Sequence, residues 1–357
     1  MAKIPTLLCI LFPILTWSTP YDALSITDLI VDHCCPVSNR ELHEEVKAIE
    51  GSSRISEKQM ISLSEKYGDR FSHCPGGSAT NIMKGLSLFG HKCAVVGKLG
   101  QDEWSNYYLR TLARKNLDIL FTPVEGPTAQ SFCLVDPSGL RSMLTYFSPN
   151  LKITSKDLDP QIFNGLKLMH VEGYAIFQKE VLLQSLDLAK QAGAKIAMDL
   201  SSYNLTHNFR DDYQFIIKSY VDILFANVEE AQALTGIKNP KDAALKIAKW
   251  CNIAVVHMGS EGGFVANGDK FLKYQAFKVE KVVDNTGAGD LFACGFLHSH
   301  LNNEPLHISA MFGASLGAAI VQVKGTELPP QVIKELSEQS RNRLNHFNYK
   351  TFPYKTP

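Results

Sequence analysis

The amino-acid sequence predicts an α/β fold: a central, mostly parallel sheet covered by helices on both faces, with a small β-sheet set against one edge. Two observations carry this. Short apolar strands alternate with helical stretches over ~200 residues, a rhythm that builds parallel sheets through helical crossovers. Two hairpin-rich segments, near 33–55 and 121–147, break that rhythm and read as the smaller sheet.

The elements follow in order. Ala23 to Val31 is apolar and rich in β-branched residues, so it reads as the first strand. Ser56 to Tyr67 reads as a helix, with Ser56 and Gln59 as a capping box and Gly68 as its stop. Ile82, Met83, Leu86 and Phe89 recur at helical spacing. Lys92 to Val96 reads as a strand, and Asp102 caps a helix carrying Trp104, Tyr108, Leu109 and Leu112. Ser131 to Val135 and Arg141 to Phe147 flank Asp136-Pro137-Ser138-Gly139, which signals a hairpin. Four short apolar strands come next: Leu166 to Val171, Lys195 to Met198, Val221 to Ala226 and Ile253 to Val256. Helices are expected between them at 179–192, 207–219 and 239–250. Asn267-Gly268 marks a second hairpin by type I′ turn chemistry, and Phe277 to Val283 reads as strand-like.

Composition narrows the function classes. Of 357 residues, 45% are apolar and 20% charged, as in soluble globular proteins. Lys+Arg is 36 and Asp+Glu is 36. With no basic excess to neutralise a phosphate backbone, no nucleic-acid partner is expected. Eight cysteines, at 9, 34, 35, 74, 93, 133, 251 and 294, form no CxxC pair and no zinc spacing with histidine. They read as buried thiols in a reducing compartment. Residues 1–20 form an apolar extension, in which Leu7 to Leu15, broken by Pro13, resembles a weak signal peptide. That run is too short for a spanning helix, which needs ~20 residues, so no membrane partner is expected.

Three short motifs carry chemistry. Asp284-Asn285-Thr286-Gly287-Ala288-Gly289-Asp290 opens a helical pattern. Glycines at a helix start leave N–H groups converging on one spot, which with the helix dipole makes an anion site. Asp290 then either faces the group that meets the anion or merely complements the dipole. Neither a dinucleotide fingerprint nor a Walker A loop is present, since Phe292 stands where the third glycine would fall and no Gly-Lys-Ser/Thr occurs. Gly76-Gly77-Ser78-Ala79-Thr80-Asn81 sits before a helix; its bare backbone suits a sugar-like ligand, or is only a glycine-rich helix entry. Asn227-Val228-Glu229-Glu230 follows a strand and reads as a capping box, as a magnesium–water site, or as both.

Gly-Gly-Ser-x-x-Asn near 80, Asn-x-x-Glu near 230 and Asp-x-Thr-Gly-Ala-Gly-Asp near 290, in that order, resemble the PfkB, or ribokinase-like, family of carbohydrate and nucleoside kinases. The resemblance covers residues 21 to about 335. It implies a ribokinase-like three-layer sandwich over 21–340, with the lid drawn from about 33–55 and 121–147 and a tail at 341–357. The chain looks most like the adenosine kinase-like branch: Asp22 to Asp32 resembles that branch's first strand, and Glu50-Gly51-Ser52 and Arg141-Ser142-Met143 match too. Thr27 and Asp28 replace the usual Gly-Asn, and His257 stands where Thr or Ser often precedes the nucleotide-binding glycine.

Carried over position by position, the resemblance implies the following roles. Asp290 is the general base for the acceptor's hydroxymethyl group. The N–H groups of Gly287, Ala288 and Gly289 form the anion hole. Asn227 and Glu230 order the water shell of Mg²⁺, and Gly259, Gly262 and Asn227 lie along ATP. Asp32, Gly76, Gly77 and Asn81 hold the acceptor, with Asp32 at the end of the first strand accepting from two neighbouring hydroxyls. Arg141 is a cation from the lid. Asp284 and Thr286 sit near where many members bind a monovalent cation. The expected protein is a monomer or homodimer that uses ATP and Mg²⁺ on a nucleoside or sugar. An ATP-dependent enzyme belongs in the cytoplasm; export through the N-terminal apolar segment is the alternative. A non-catalytic nucleoside- or sugar-binding relative is the second function class, and the presence of Asp290, the glycines and Glu230 weighs against it.

Overall fold

The computed structural model describes residues 20–46, 51–114, 116–137, 141–148 and 151–342. The expectations on the N-terminal apolar run and the C-terminal tail lie outside the described residues. The chain runs β1 (Ala23–Ile26), β2 (Ile30–Pro36), α1 (Asn39–Glu45), β3 (Gly51–Arg54), α2 (Glu57–Tyr67), β4 (Ser72–Gly76), α3 (Ser78–Leu88), β5 (Cys93–Leu99), α4 (Glu103–Leu112), β6 (Leu117–Pro123), β7 (Ala129–Val135) and β8 (Arg141–Tyr146). It continues as β9 (Leu168–Glu172), α5 (Lys179–Gln191), β10 (Lys195–Asp199), α6 (Tyr203–Asn208), α7 (Arg210–Tyr220), β11 (Ile223–Asn227), α8 (Val228–Thr235), α9 (Pro240–Ile247), β12 (Ile253–His257), β13 (Gly263–Asn267), β14 (Lys270–Tyr274), α10 (Ala288–Leu301), α11 (Leu306–Ile320) and α12 (Pro330–Asn342).

Nine strands form the large sheet, in the order β14-β13-β12-β11-β10-β9-β1-β5-β6. Its pairs are parallel from β12 to β6, and only the β12–β13–β14 edge is antiparallel. Strand alternation explains the three layers. Ile223 and Phe225 of β11 point into a core shared with α3, α4, α10, α11 and α12. Their neighbours Leu224 and Ala226 point into a second core, shared with α5, α7, α8 and α9. The second sheet, β3-β8-β7-β2-β4, packs one face on Leu42, Met60, Leu63 and Tyr67 of α1 and α2. No described helix is long and apolar enough to cross a membrane.

The parallel α/β architecture and the small sheet match expectation, but several boundaries differ. The Ala23–Val31 run is not one strand. It breaks at Thr27-Asp28-Leu29, so β1 joins the large sheet and β2 the small one. The small sheet also takes β4, beyond the 33–55 segment, while Phe121 to Pro123 end β6 in the large sheet. Phe277 to Val283 forms no strand; β14 already edges the sheet, and Val283 N–H donates to Val321 O at 2.7 Å. Residues 207–219 divide between α6 and α7 at Phe209. Gly68 does follow α2, but in a right-handed conformation that leads into a 3₁₀ turn. In the second hairpin Asn267 pairs with Lys270, so the loop is Gly268-Asp269. Only Gly268 has positive φ there, the pattern of type II′ rather than I′. Seven described cysteines are free thiols: five are buried, whereas Cys34 and Cys74 are half-buried.

Candidate active site

The site begins at the N-terminus of α10. The irregular stretch before it is anchored by Asp284, whose Oδ1 accepts from Thr286 N–H at 2.9 Å and Thr286 Oγ1 at 2.6 Å, and whose Oδ2 accepts from Gly325 N–H at 3.1 Å. Asp284 and Thr286 thus shape the turn itself. Gly287, with φ +75°, starts the helix without a side-chain cap. A helix start leaves N–H groups unpaired and carries the positive end of the dipole. Ala288 N–H is engaged by Asn285 O at 3.3 Å, a departure from the expected trio of anion-hole donors. The N–H groups of Gly287 and Gly289 have no acceptor among the described residues.

Asp290, half-buried in that first turn, is held by α3. Ser78 Oγ donates to Asp290 Oδ1 at 2.7 Å, and Asn81 Nδ2 donates to Asp290 Oδ2 at 2.8 Å. Gly85 lets the two helices meet, because a Cβ there would overlap the Cys294 thiol. Asn81 Oδ1 is buried with no partner among the described residues. One turn on, the buried Lys84 donates Nζ to Pro75 O at 2.9 Å and to Thr326 Oγ1 at 3.2 Å. Burial holds its pKa below the ordinary lysine value.

Asp32 does not end the first strand at the carboxyl edge of the large sheet, as the sequence implied. It lies within β2 of the small sheet, opposite Cys74 of β4 and Ser131 of β7. Its carboxylate rests against Gly76, where a Cβ would overlap it. Gly77, with φ +92°, then turns the chain into α3. The sequence reaches Asp32 through the first strand and Gly76, Gly77 and Asn81 through one glycine motif, and the structure strings all four along one path to Asp290. Arg141 opens β8, its backbone paired with Val135 at the hairpin.

Acids line the carboxyl ends of the central strands. Asn227 ends β11 and caps α8: its Oδ1 accepts from Glu230 N–H at 2.8 Å, while Glu230 Oε2 accepts from Asn227 N–H at 2.9 Å. The capping box is therefore real, and Glu230 is also buried. Burial pushes its carboxyl up to about 7. Asp199, ending β10, is raised well above the usual carboxylate range, first by burial and then by the charges of Glu230 and Asp290. On the next strand His257 lies in register with Asn227. Its Nδ1 pairs with Tyr274 OH at 2.9 Å, its ring meets Phe292 edge-on at 4.3 Å, and burial lowers its pKa to about 4. The β12–β13 connection holds Gly259 and Gly262, and a Cβ at Gly262 would overlap Tyr274 O.

The profile of the pfkB family carbohydrate kinases matches residues 54–332. The chain belongs to the PfkB family. Among solved structures it is similar to a probable sugar kinase from Rhizobium etli, with TM-score 0.84 and 27% identity over 90% of this chain and 99% of that one. It is equally similar to an adenosine kinase from Sinorhizobium meliloti, with TM-score 0.83 and 27% identity over 90% of this chain and all of that one (100%). Among curated relatives, a probable chloroplastic fructokinase-6 of Arabidopsis thaliana is 27% identical over 287 residues, 74% of each chain. The ribokinase-like fold and the kinase class follow: this is a PfkB-family sugar or nucleoside kinase.

Three residues of this PfkB chain were not picked out from sequence as site residues: Ser78, Glu172 and Asp199. Ser78 lay inside the Gly-Gly-Ser motif without a role of its own. Glu172 and Asp199 each end an apolar strand of the central sheet. An acid closing a buried strand is the signal that could have found them, since such strand ends face ligands in open α/β sheets.

Proposed function

We propose that this PfkB kinase transfers the γ-phosphoryl group of ATP to the hydroxymethyl group of a nucleoside or sugar, with an adenosine-like nucleoside as first acceptor. The observation that carries the reading is Asp290, held at both oxygens by Ser78 and Asn81 in the opening turn of α10. A carboxylate so fixed, beside the N–H groups of Gly287 and Gly289, can take a hydroxyl proton where an anion is bound.

Phosphoryl transfer asks for positioning and charge stabilisation more than covalent chemistry. Gly287 and Gly289 offer N–H donors and α10 its dipole to the transferring group. Asp290 accepts the acceptor's proton. Asn81 Oδ1, buried without a partner among the described residues, is free to accept from an acceptor hydroxyl, and Asp32 serves two more from the lid strand. Mg²⁺, when bound, would supply positive charge to the phosphates. Asn227 and Glu230 would hold its water shell, and two carboxylates, the buried Glu230 and the half-buried Asp199, fit a hard, hydrated cation. Gly259 and Gly262 would lie along the nucleotide. Closure of the small sheet keeps water from the phosphates.

The adenosine-like acceptor draws on the adenosine kinase likeness. A sugar acceptor is the second reading and draws on the fructokinase relative and the sugar kinase likeness. A turnover screen with ATP and Mg²⁺ across adenosine, other nucleosides, ribose and hexose phosphates separates them. Turnover of adenosine above the sugars upholds the first reading. Turnover of sugars alone installs the second. ATP binding with no turnover of any acceptor would sink both.

A further inference from the structure

Glu172 closes β9 and is buried, and both of its carboxylate oxygens are in use. Oε1 accepts from Thr27 Oγ1 at 2.7 Å, and Oε2 accepts from Ala79 N–H at 3.1 Å. The second bond repairs a weakness in α3. That helix starts at Gly77, has no side-chain cap and carries no acid in its first turn. Its leading N–H groups therefore lack the usual local partner. Glu172 supplies an acceptor and a negative charge from a strand 93 residues away in sequence.

What that turn carries is Ser78 and Asn81, the two residues on Asp290. What Glu172 grips on its other side is Thr27, at the crossing from β1 into β2, where the chain leaves the large sheet for the small one. Thr27 stands where the related pattern has glycine, and glycine has no hydroxyl to donate.

We propose that Glu172 is a positioning residue: it ties the β1–β2 crossing to the first turn of α3 and thereby fixes Ser78 and Asn81 against Asp290. The inference rests on Asp290 being the base. Burial pushes the Glu172 carboxyl up to about 7, with the charges of Asp28 and Asp290 adding to it. Both protonation forms hold the geometry. The carboxylate accepts twice; the acid accepts from Ala79 and donates to Thr27 Oγ1.

Glutamine offers one acceptor and one donor group, enough for Ala79 N–H and Thr27 Oγ1 respectively. Glu172→Gln should therefore keep the arrangement, and Glu172→Ala should lose it. With both variants shown folded by circular dichroism, Glu172→Ala should lower kcat ~10–10²-fold, as expected for a displaced reacting group. The KM for ATP should stay within about twofold in Glu172→Ala, and Glu172→Gln should recover kcat to within about threefold of the parent. NMR of the full chain supplies a second readout that needs no turnover. The Ala79 N–H and Asn81 side-chain amide resonances should move in Glu172→Ala and stay near the parent's in Glu172→Gln. Should Glu172→Ala not fold, Thr27→Ala removes one bond only and should shift the same resonances with a smaller loss of kcat. Glu172→Gln as impaired as Glu172→Ala would overturn the proposal, because the charge would then act on the acceptor itself. Unmoved Ala79 and Asn81 resonances in a folded Glu172→Ala, or in Thr27→Ala in its place, would overturn it too. A parent without turnover would sink the kinase reading alone and leave the NMR result to decide this one.

Discussion

The Asn81 side-chain amide donates to Asp290 Oδ2 at 2.8 Å, across 209 residues of sequence. Two helices that both begin on a positive-φ glycine, Gly77 and Gly287, meet there N-terminus to N-terminus. Their positive dipole ends converge on one carboxylate. Asp290 is thus aimed by two side-chain donors from α3 at the opening of α10.

Asp290→Asn tests this directly. Asparagine keeps the size and, with one acceptor and one donor group, can still meet Asn81 Nδ2 and Ser78 Oγ, but it cannot take a proton. We expect kcat to fall ~10²–10⁴-fold. ATP binding, followed by calorimetry, should stay within about threefold, because the proposed base serves the acceptor and not the nucleotide. Activity within about threefold of the parent would remove Asp290 from the mechanism.

How much of this was legible in the sequence depended on whether the signal was local. Gly77, Asn81, Gly287, Asp290 and the Asn227–Glu230 box sit in contiguous motifs whose chemistry can be read from neighbouring residues. Asp32 sits elsewhere than the sequence implied, because the mostly apolar run from Ala23 to Val31 reads as one strand while the chain changes sheets at Thr27. Phe277 to Val283 has the composition of a strand, yet Val282 and Val283 are 58% and 52% exposed. Its Val283 N–H goes to Val321 O at the end of α11 rather than to a strand. Glu172 and Asp199 carry no motif at all. Their meaning comes from the register that sets Glu172 opposite Asp199 on adjacent strands, which only the folded sheet supplies.

Glu230 has two readings that one variant separates. Glu230→Gln keeps an oxygen to accept from Asn227 N–H, so the cap survives in part. If Glu230 orders the metal's water shell, the Mg²⁺ concentration for half-maximal turnover should rise several-fold while thermal stability changes little. A pure capping role predicts the reverse, a loss of ~0.5–2 kcal/mol with the metal titration unmoved.

Stability should respond to pH through Glu172 with a definite sign. Its folded pKa, about 7, lies above the ordinary 4.5. Between those values the folded chain holds a proton that the unfolded chain has lost, so this group's contribution is full below pH 4.5 and disappears as pH rises through 7. His33, His170 and His257 are shifted down and push the opposite way. The difference between parent and Glu172→Gln cancels them. Glutamine never ionises, so the variant should gain on the parent by on the order of 3 kcal/mol between pH 5 and pH 8. Denaturant unfolding at the two pH values measures this, and a difference independent of pH would contradict the buried-acid account.

Asp32 and Gly76 make the last and most specific prediction, about what is bound. A carboxylate accepts only, and can serve two adjacent hydroxyls at once. Bonds to a charged group are worth ~1.5–3 kcal/mol each. Asp32→Ala should therefore raise the acceptor KM ten-fold or more, since tenfold corresponds to about 1.4 kcal/mol, while the KM for ATP barely moves. Gly76→Ala reaches the same carboxylate without removing it, because the added methyl would occupy the space where the Asp32 carboxylate rests. It should reproduce the acceptor defect at unchanged charge. An acceptor lacking one of two neighbouring hydroxyls should be rejected by the parent and discriminated less by both variants. A purely structural Asp32, serving only the pairing of β2 with β4, predicts something else. Both variants would then lower the melting temperature, both substrates would suffer together, and the deoxy acceptor would behave like its parent. Two substitutions on different strands that agree on the acceptor and spare ATP would leave the diol-binding role as the account consistent with both.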